Sequence, residues 1–275
     1  MSELIHSRPA RRLLAGIGLI VTAIVFGLPL MTLLLASIAG EWTRALPTTL
    51  TVAHLRAALG GTPRAALWHS LATGIGATIG ALVLGVWGAL VSRRAPAPVR
   101  RGIDALFLMP VAIPSVSIGL ALLVAFSRPP LLLNGTVALV GITHVVLVTA
   151  YAYASAQAGI ARLPAAVEDM AGSLGATPSR VLVRVTLPLL LPQLRAAAAL
   201  GFALSMGELG ATIMVYPPGW ATAPVEIFSL TDRGALFTGA AVSVWLLAGT
   251  FGALWLFDRR RSSRRAGSAR DFSGT

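Results

Sequence analysis

The sequence predicts an all-α, polytopic membrane protein of about six transmembrane helices with both termini in the cytoplasm. Three observations predict it. Of 275 residues, 56% are hydrophobic and only 12% charged, about half the charged fraction of an ordinary soluble domain. Apolar runs of about 20 residues, long enough to cross the hydrocarbon core as helices, recur along the whole chain. The arginines between those runs alternate from many to few, as sidedness in a membrane requires.

The expected spans are Leu13–Ala39, Leu67–Ser92, Ile103–Phe126, Gly135–Gln157, Leu189–Tyr216 and Leu236–Phe257. The first follows Arg8, Arg11 and Arg12 and ends near Ser37-Ile38-Ala39, which looks like a signal-peptide cleavage site. It is far longer than the roughly 7–15 residues of a signal h-region, so it reads as a retained helix. The connecting segments are polar or rich in Pro and Gly. With both ends inside, the inner segments hold Arg8, Arg11, Arg12, Arg93, Arg94, Arg100, Arg101, Arg162, Arg180, Arg184, Arg195, Arg259, Arg260, Arg261, Arg264, Arg265 and Arg270, and the outer ones only Arg44, Arg56, Arg64, Arg128 and Arg233. That bias requires an even number of spans. Trp42, Trp68 and Trp220 fall at expected outer ends and Trp87 and Trp255 near inner ends, as interfacial tryptophans do, whereas Trp245 falls mid-span. Gly76 and Gly80 form a G-x-x-x-G pair, read as ordinary bundle packing among 28 glycines. The organisation is thus residues 1–66 as tail, first helix and periplasmic loop, 67–257 as membrane core, and 258–275 as a basic cytoplasmic tail expected to be disordered.

Composition also excludes. Every basic residue is arginine, and the formal charge is +12. Without lysine there is no Walker A lysine and no Schiff base; if ATP drives this chain, another chain binds it. Without cysteine there are no disulfides, thiolate nucleophiles or cysteine metal sites. No catalytic residue, metal site or cofactor is expected. A basic tail beside anionic lipid needs no nucleic acid to account for it.

The informative stretch is the loop Arg162–Pro188, RLPAAVEDMAGSLGATPSRVLVRVTLP. Pro164 suits the first turn of a helix. Val167, Met170, Ala171 and Leu174 follow at i, i+3, i+4 and i+7, one apolar stripe, with Glu168, Asp169 and Ser173 off it. Gly175 sits where a helix end calls for a left-handed residue, and Thr177 and Pro178 open a second short helix. Two short helices between spans four and five have two readings: an interfacial helix lying on the bilayer, or a helix that fits a groove on a partner protein. Periodicity alone favours the first, because such helices are common in membrane loops; the acidic residues tip the balance back toward the second, because anionic lipid repels them.

Asp169-Met170-Ala171, three residues, Gly175, nine residues, then Val185-Thr186-Leu187-Pro188 resembles the EAA-x3-G-x9-I-x-L-P motif of permeases of type I binding-protein-dependent ABC importers. Asp169, Met170 and Val185 are the departures. Met109-Pro110 and Ile113-Pro114 followed by Gly119 are similar to that family's proline-containing core helix. Gly207-Glu208-Leu209-Gly210-Ala211-Thr212 resembles the G-E-F-G-A-T stretch of sulfate, molybdate, iron and polyamine permeases, with Leu209 for Phe. The resemblance implies a permease subunit of the bacterial inner membrane, which works with two ATPase subunits, a second permease subunit (identical or homologous) and a periplasmic binding protein. It implies an ATPase-coupling loop of Glu168, Asp169, Met170, Ala171, Leu174, Gly175, Leu187 and Pro188. Pro110, Pro114, Glu208 and Gly210 are implied at the pathway or subunit interface. The run Gly207–Trp220 and Asp232-Arg233-Gly234 look like permeases for 2-aminoethylphosphonate; iron, thiamine, polyamine and sulfate-type oxyanions are the alternatives.

Glu208 is the one acidic residue expected well inside a span, and is therefore expected to face the bundle interior or a watery cavity. His144 falls inside span four. Its ordinary reading is a hydrogen bond to a neighbouring helix. Pro110 and Pro114 read equally as a break at a pathway or as a tolerated kink. An intramembrane hydrolase would need an activated serine, but Ser205 has no obvious histidine partner in sequence, and His-x-x-x-His spacing is absent. A stand-alone secondary transporter would not need the Asp169–Pro188 loop.

Overall fold

A computed structural model describes residues 8–271 of the chain, with side chains for 12–256 other than Ala165. Residues 1–7 and 272–275, and with them both chain ends whose sidedness the arginines predict, lie outside the described residues. The order is α1 (Arg8–Thr22), a π-helical turn (Ala23–Gly27), α2 (Leu28–Ser37), β1 (Ala39–Glu41), β2 (Thr49–Leu50), α3 (Ala53–Ala57), α4 (Gly61–Arg94), α5 (Ala97–Ala112), α6 (Ser115–Ala125), α7 (Val137–Ile160), α8 (Ala165–Ser173), α9 (Pro178–Val181), a second π turn (Leu182–Thr186), α10 (Leu187–Met206), α11 (Thr212–Val215), α12 (Ala223–Asp232) and α13 (Leu236–Asp271). Among the described residues five stretches are long and apolar enough to cross a membrane, six if the bent pair α5–α6 is one span.

The chain divides into two compact units: one runs up to Arg64 and adds Ile227–Trp245, the other holds Ala65–Glu226 and the chain from Leu246 onward. In the first, the α1–α2 stretch is almost wholly exposed, so its apolar surface suits lipid or another subunit rather than its own chain. β1 and β2 form a small antiparallel hairpin in an otherwise helical chain. Trp245, which did not fit an interfacial belt, donates its indole N–H to the Leu55 carbonyl at 3.1 Å, so a backbone acceptor sets its place.

The second unit is organised on α7, which packs along α10 and α5 and also touches α6 and α11. Ala89, Tyr153, Ala156, Ile160 and Leu190 form one core cluster; Leu139, Val140 and Val215 form another toward the other end of α7. Small residues bring the helices together. A Cβ on Gly85 would lie 2.6 Å from the Tyr153 backbone nitrogen, and one on Gly119 would lie 2.6 Å from the Ala211 carbonyl oxygen. The G-x-x-x-G pair behaves differently: Gly76 faces open space, and only Gly80 approaches a neighbour, Val145.

Three expectations change. Span three is not one helix: α5 and α6 meet at 112°. Ile113, before Pro114, is extended at φ −104°, ψ 133°, because the proline ring excludes the helical region for the residue that precedes it. Pro110 stays inside α5, so of the two prolines Pro114 breaks the helix and Pro110 is tolerated. Span five ends at Met206 rather than Tyr216, and Gly207–Ala211 is a non-helical break. The tail expected to be disordered from Arg259 continues α13 to Asp271; extending a formed helix avoids the cost of a new nucleus.

Candidate functional site

The loop between α7 and α10 builds from its glycine. Gly175 has φ +83°, as a C-terminal helix cap requires. The Ala176 N–H donates to the Ala171 carbonyl at 3.1 Å and the Gly175 N–H to the Gly172 carbonyl at 2.9 Å. This crossed pair is the Schellman arrangement, and it closes α8 after nine residues. Thr177 stands at the cap of α9 without a side-chain capping bond. The second short helix is not separate: α9 runs through the π turn into α10. Pro188 gives the reason. It has no N–H for the Arg184 carbonyl, and its ring would clash there in a regular helix; the wider turn, in which the Leu187 N–H reaches the Leu182 carbonyl, makes room.

Glu168 anchors α8 to its own chain. Arg93, on the last turn of α4, donates Nη1 to Oε1 at 3.1 Å and Nη2 to Oε2 at 2.7 Å. Thr186, in the π turn, donates to Oε1 at 2.6 Å. The Arg93 hydrogen bonds, then that of Thr186, hold the Glu168 carboxyl below the usual glutamate value. The neighbouring positions point outward: Asp169 is exposed, Met170 is 63% and Leu174 88% exposed, while Ala171 and Leu187 are half-buried and Pro188 is exposed. The loop therefore presents an apolar pair beside an exposed carboxylate on a helix that a buttressed ion pair holds in place.

A second locus forms where two breaks in helical backbone meet. Gly210 lies against Ser115 and Val116 at the start of α6, so close that a Cβ would sit 2.6 Å from Ser115 Oγ. Glu208 belongs to this break rather than to a helix interior, a correction that follows from the early end of α10. Its Oε1 accepts the Ala211 N–H at 2.7 Å, which satisfies a donor that the lost helix leaves open. A cavity of about 180 Å³ lies here, lined by residues that include Pro110, Ile113, Ser115, His144, Tyr151 and Glu208. Irregular backbone in a membrane protein is tolerated where it is buried in protein or lines a cavity, and here Ile113 and Glu208 line one. Pro114 is exposed at the bend beside the cavity.

His144 on α7 fastens both sides of the break. Nδ1 lies 2.7 Å from Ser205 Oγ on α10 and Nε2 2.9 Å from Thr212 Oγ1 on α11. A neutral imidazole offers one donor and one acceptor, and hydroxyls take either role, so both nitrogens are satisfied. The pairing of Ser205 with His144 was not legible in sequence. With both nitrogens committed to hydroxyls on two other helices, it serves as an interhelical tie.

Sequence reasoning missed one polar cluster. Asp104 on α5 accepts hydrogen bonds from Tyr153 and from Gln157 (2.7 Å) on α7 and from Ser92 (3.0 Å) on α4. Tyr153 and Gln157, one turn apart in an apolar span, were the available signal. Among the described residues no His/Cys/Asp/Glu group could hold a metal ion.

The profile of binding-protein-dependent transport system inner membrane components matches residues 81–262. The "Putative 2-aminoethylphosphonate transport system permease protein PhnV" of Salmonella typhimurium is 45% identical over 94% of this chain and 97% of that protein. The molybdenum transport system permease protein ModB of Mycobacterium tuberculosis is 37% identical over 54% of this chain and 60% of its own length. Among solved structures, a bacterial ABC transporter that imports the acidic polysaccharide alginate matches with a TM-score of 0.74 at 15% identity, over 94% of this chain and 96% of that one. The MetNI methionine ABC transporter matches at 0.58 and 18% identity, over 71% of this chain and 93% of that one; these two likenesses concern the fold. The chain belongs to the family of binding-protein-dependent transport system inner membrane components. It is a multi-pass permease subunit of an ABC importer.

Proposed function

We propose that this permease carries 2-aminoethylphosphonate or a closely similar phosphonate inward across the bacterial inner membrane. The observation that carries this is the 45% identity to PhnV over 94% of the chain, against 54% coverage for the molybdenum permease. In this reading α8 and the segment to Pro188 dock a nucleotide-hydrolysing subunit through Asp169, Met170, Ala171 and Leu174, while Glu168, Gly175, Leu187 and Pro188 set their position. ATP hydrolysis resides on two separate ATPase chains, in keeping with a sequence that has no lysine. A second permease subunit and a periplasmic binding protein complete the assembly, with the core over 67–257 as the translocation unit. Pro110, Pro114, Glu208 and Gly210 form the movable part of the pathway, because two backbone breaks in contact are a hinge that rigid helices lack.

The test is uptake by membrane vesicles that hold the complete transporter and its binding protein. Radiolabelled 2-aminoethylphosphonate should enter in an ATP-dependent way, and excess unlabelled phosphonate should compete with it. Uptake of molybdate or putrescine in its place, with no phosphonate uptake, would refute the substrate assignment and leave the permease assignment intact.

A further inference from the structure

Asp104 lies half-buried on α5, which with α6 forms the bent candidate span, and its carboxylate is held by protein partners. Its Oδ1 receives Tyr153 and Gln157 from α7 and Ser92 from α4. Gln157 Nε2 also reaches Tyr153 Oη at 2.5 Å. The Tyr153 ring stacks on Phe107 of α5, with centroids 4.5 Å apart and planes 17° apart. Gly88 of α4 gives that Phe107 ring its seat, since a Cβ there would collide with it. One point thus ties α4, α5 and α7 by hydrogen bonds and an aromatic stack together. A cleft of about 470 Å³, lined by Ser92, Arg93, Arg100, Asp104 and Gln157 among others, opens beside it.

The position of this tie matters. Ser92 precedes Arg93, the residue that holds Glu168 of α8. The last turn of α4 is therefore bonded to α5 through one residue and to α8 through the next. From Asp104, α5 runs about 13 Å to the bend at Ile113–Pro114 and the cavity beside Glu208. A displacement of α8 can reach that bend as a rigid-body movement only if α4 and α5 move together.

We propose that Asp104 is a positioning residue that locks α4, α5 and α7 to α8, so that movement of the docking helix is delivered to the bend rather than dissipated between helices. This rests on the docking assignment of α8. A cluster that merely stabilised the bundle would alter the amount of folded transporter. A coupling cluster alters transport per ATP hydrolysed.

The experiment uses the complete reconstituted transporter, with ATP hydrolysis and substrate uptake measured on the same liposomes. Asp104→Leu should lower uptake per ATP by about tenfold, within the range that coupling free energies span, while the ATPase remains bound. Asp104→Asn, which keeps an acceptor oxygen, should recover most of the ratio. Tyr153→Phe removes one donor without removing the acceptor; it should lower the ratio measurably, and it decides the matter if Asp104→Leu fails to assemble. An unchanged ratio in Tyr153→Phe and Asp104→Asn alongside normal coupling in any assembled Asp104→Leu protein would overturn the proposal, as would a parallel loss of uptake and hydrolysis. Failure of the docking assignment is distinguishable, because then the parent itself would not bind the ATPase through α8.

Discussion

Replacing Gly175 by valine isolates backbone strain from packing. A Cβ at Gly175 meets nothing within 4 Å, but the residue sits at φ +83°. Left-handed backbone costs an L-residue about 1–2 kcal/mol, and a β-branched side chain sits at or above the upper figure. Against this stand the ties that hold α8. The Arg93–Glu168 pair has side chains 33% and 21% exposed, so after solvent screening it contributes about 0–1 kcal/mol. The Thr186 hydrogen bond to the same carboxylate adds about 1.5 kcal/mol, the low end for a charged acceptor. Strain and restraint are of equal size, so valine should reduce the correctly placed loop by about tenfold for each 1.4 kcal/mol. The spans should still insert, because nothing buried changes. The assay is co-purification of the ATPase with the permease from detergent-solubilised membranes, together with ATP-driven uptake, normalised to permease abundance. Gly175→Asn, which tolerates the left-handed region, should retain most of both activities. Wild-type assembly and uptake in an abundantly expressed Gly175→Val protein would refute the reasoning.

Five further outcomes are expected. Arg93→Glu should weaken ATPase co-purification and Arg93→Glu with Glu168→Arg should restore part of it. Because Glu168 is held below its ordinary value of 4.5 by Arg93 and Thr186, its contribution is fully present above that pH and lost only as pH falls through the lower folded value, so assembly measured from pH 8 to pH 5 should stay flat. Glu208→Gln keeps an acceptor for the Ala211 N–H and should transport, whereas Glu208→Ala leaves that donor open at a cost of about 1–3 kcal/mol and should lower uptake about tenfold. Gly85→Ala should force α4 from α7 and reduce the recoverable folded protein, while Gly76→Ala should leave the yield and thermal stability unchanged, because a Cβ there meets nothing. Reporter fusions at Thr275 and within 217–233 should report opposite sides of the membrane, and a periplasmic C-terminus would contradict the arginine pattern.

The helical class, about six spans and the helix end at Gly175 were legible in the sequence because each depends on local chemistry. Apolar length sets a crossing helix whatever it packs against, and the spacing through Gly175 fixes a helix end whose carbonyls need a left-handed residue. Proline at 114 announced a discontinuity, but its angle did not follow, since the restriction on Ile113 excludes helix without choosing among the extended alternatives. Three other things were decided only in three dimensions. One is the early end of α10, with Glu208 bonded to the Ala211 N–H and Gly210 against the start of α6. The glycines that bring helices together are Gly85 and Gly119, not the Gly76–Gly80 pair that the pattern singled out, because which face a glycine presents depends on the partner helix. The bonds of His144 to Ser205 and of Asp104 to Tyr153, Gln157 and Ser92 join residues from 12 to 61 positions apart. Hydrogen bonds are short-ranged and directional, so a sequence can place such groups in neighbouring spans, but only the packing of those spans decides which of them meet.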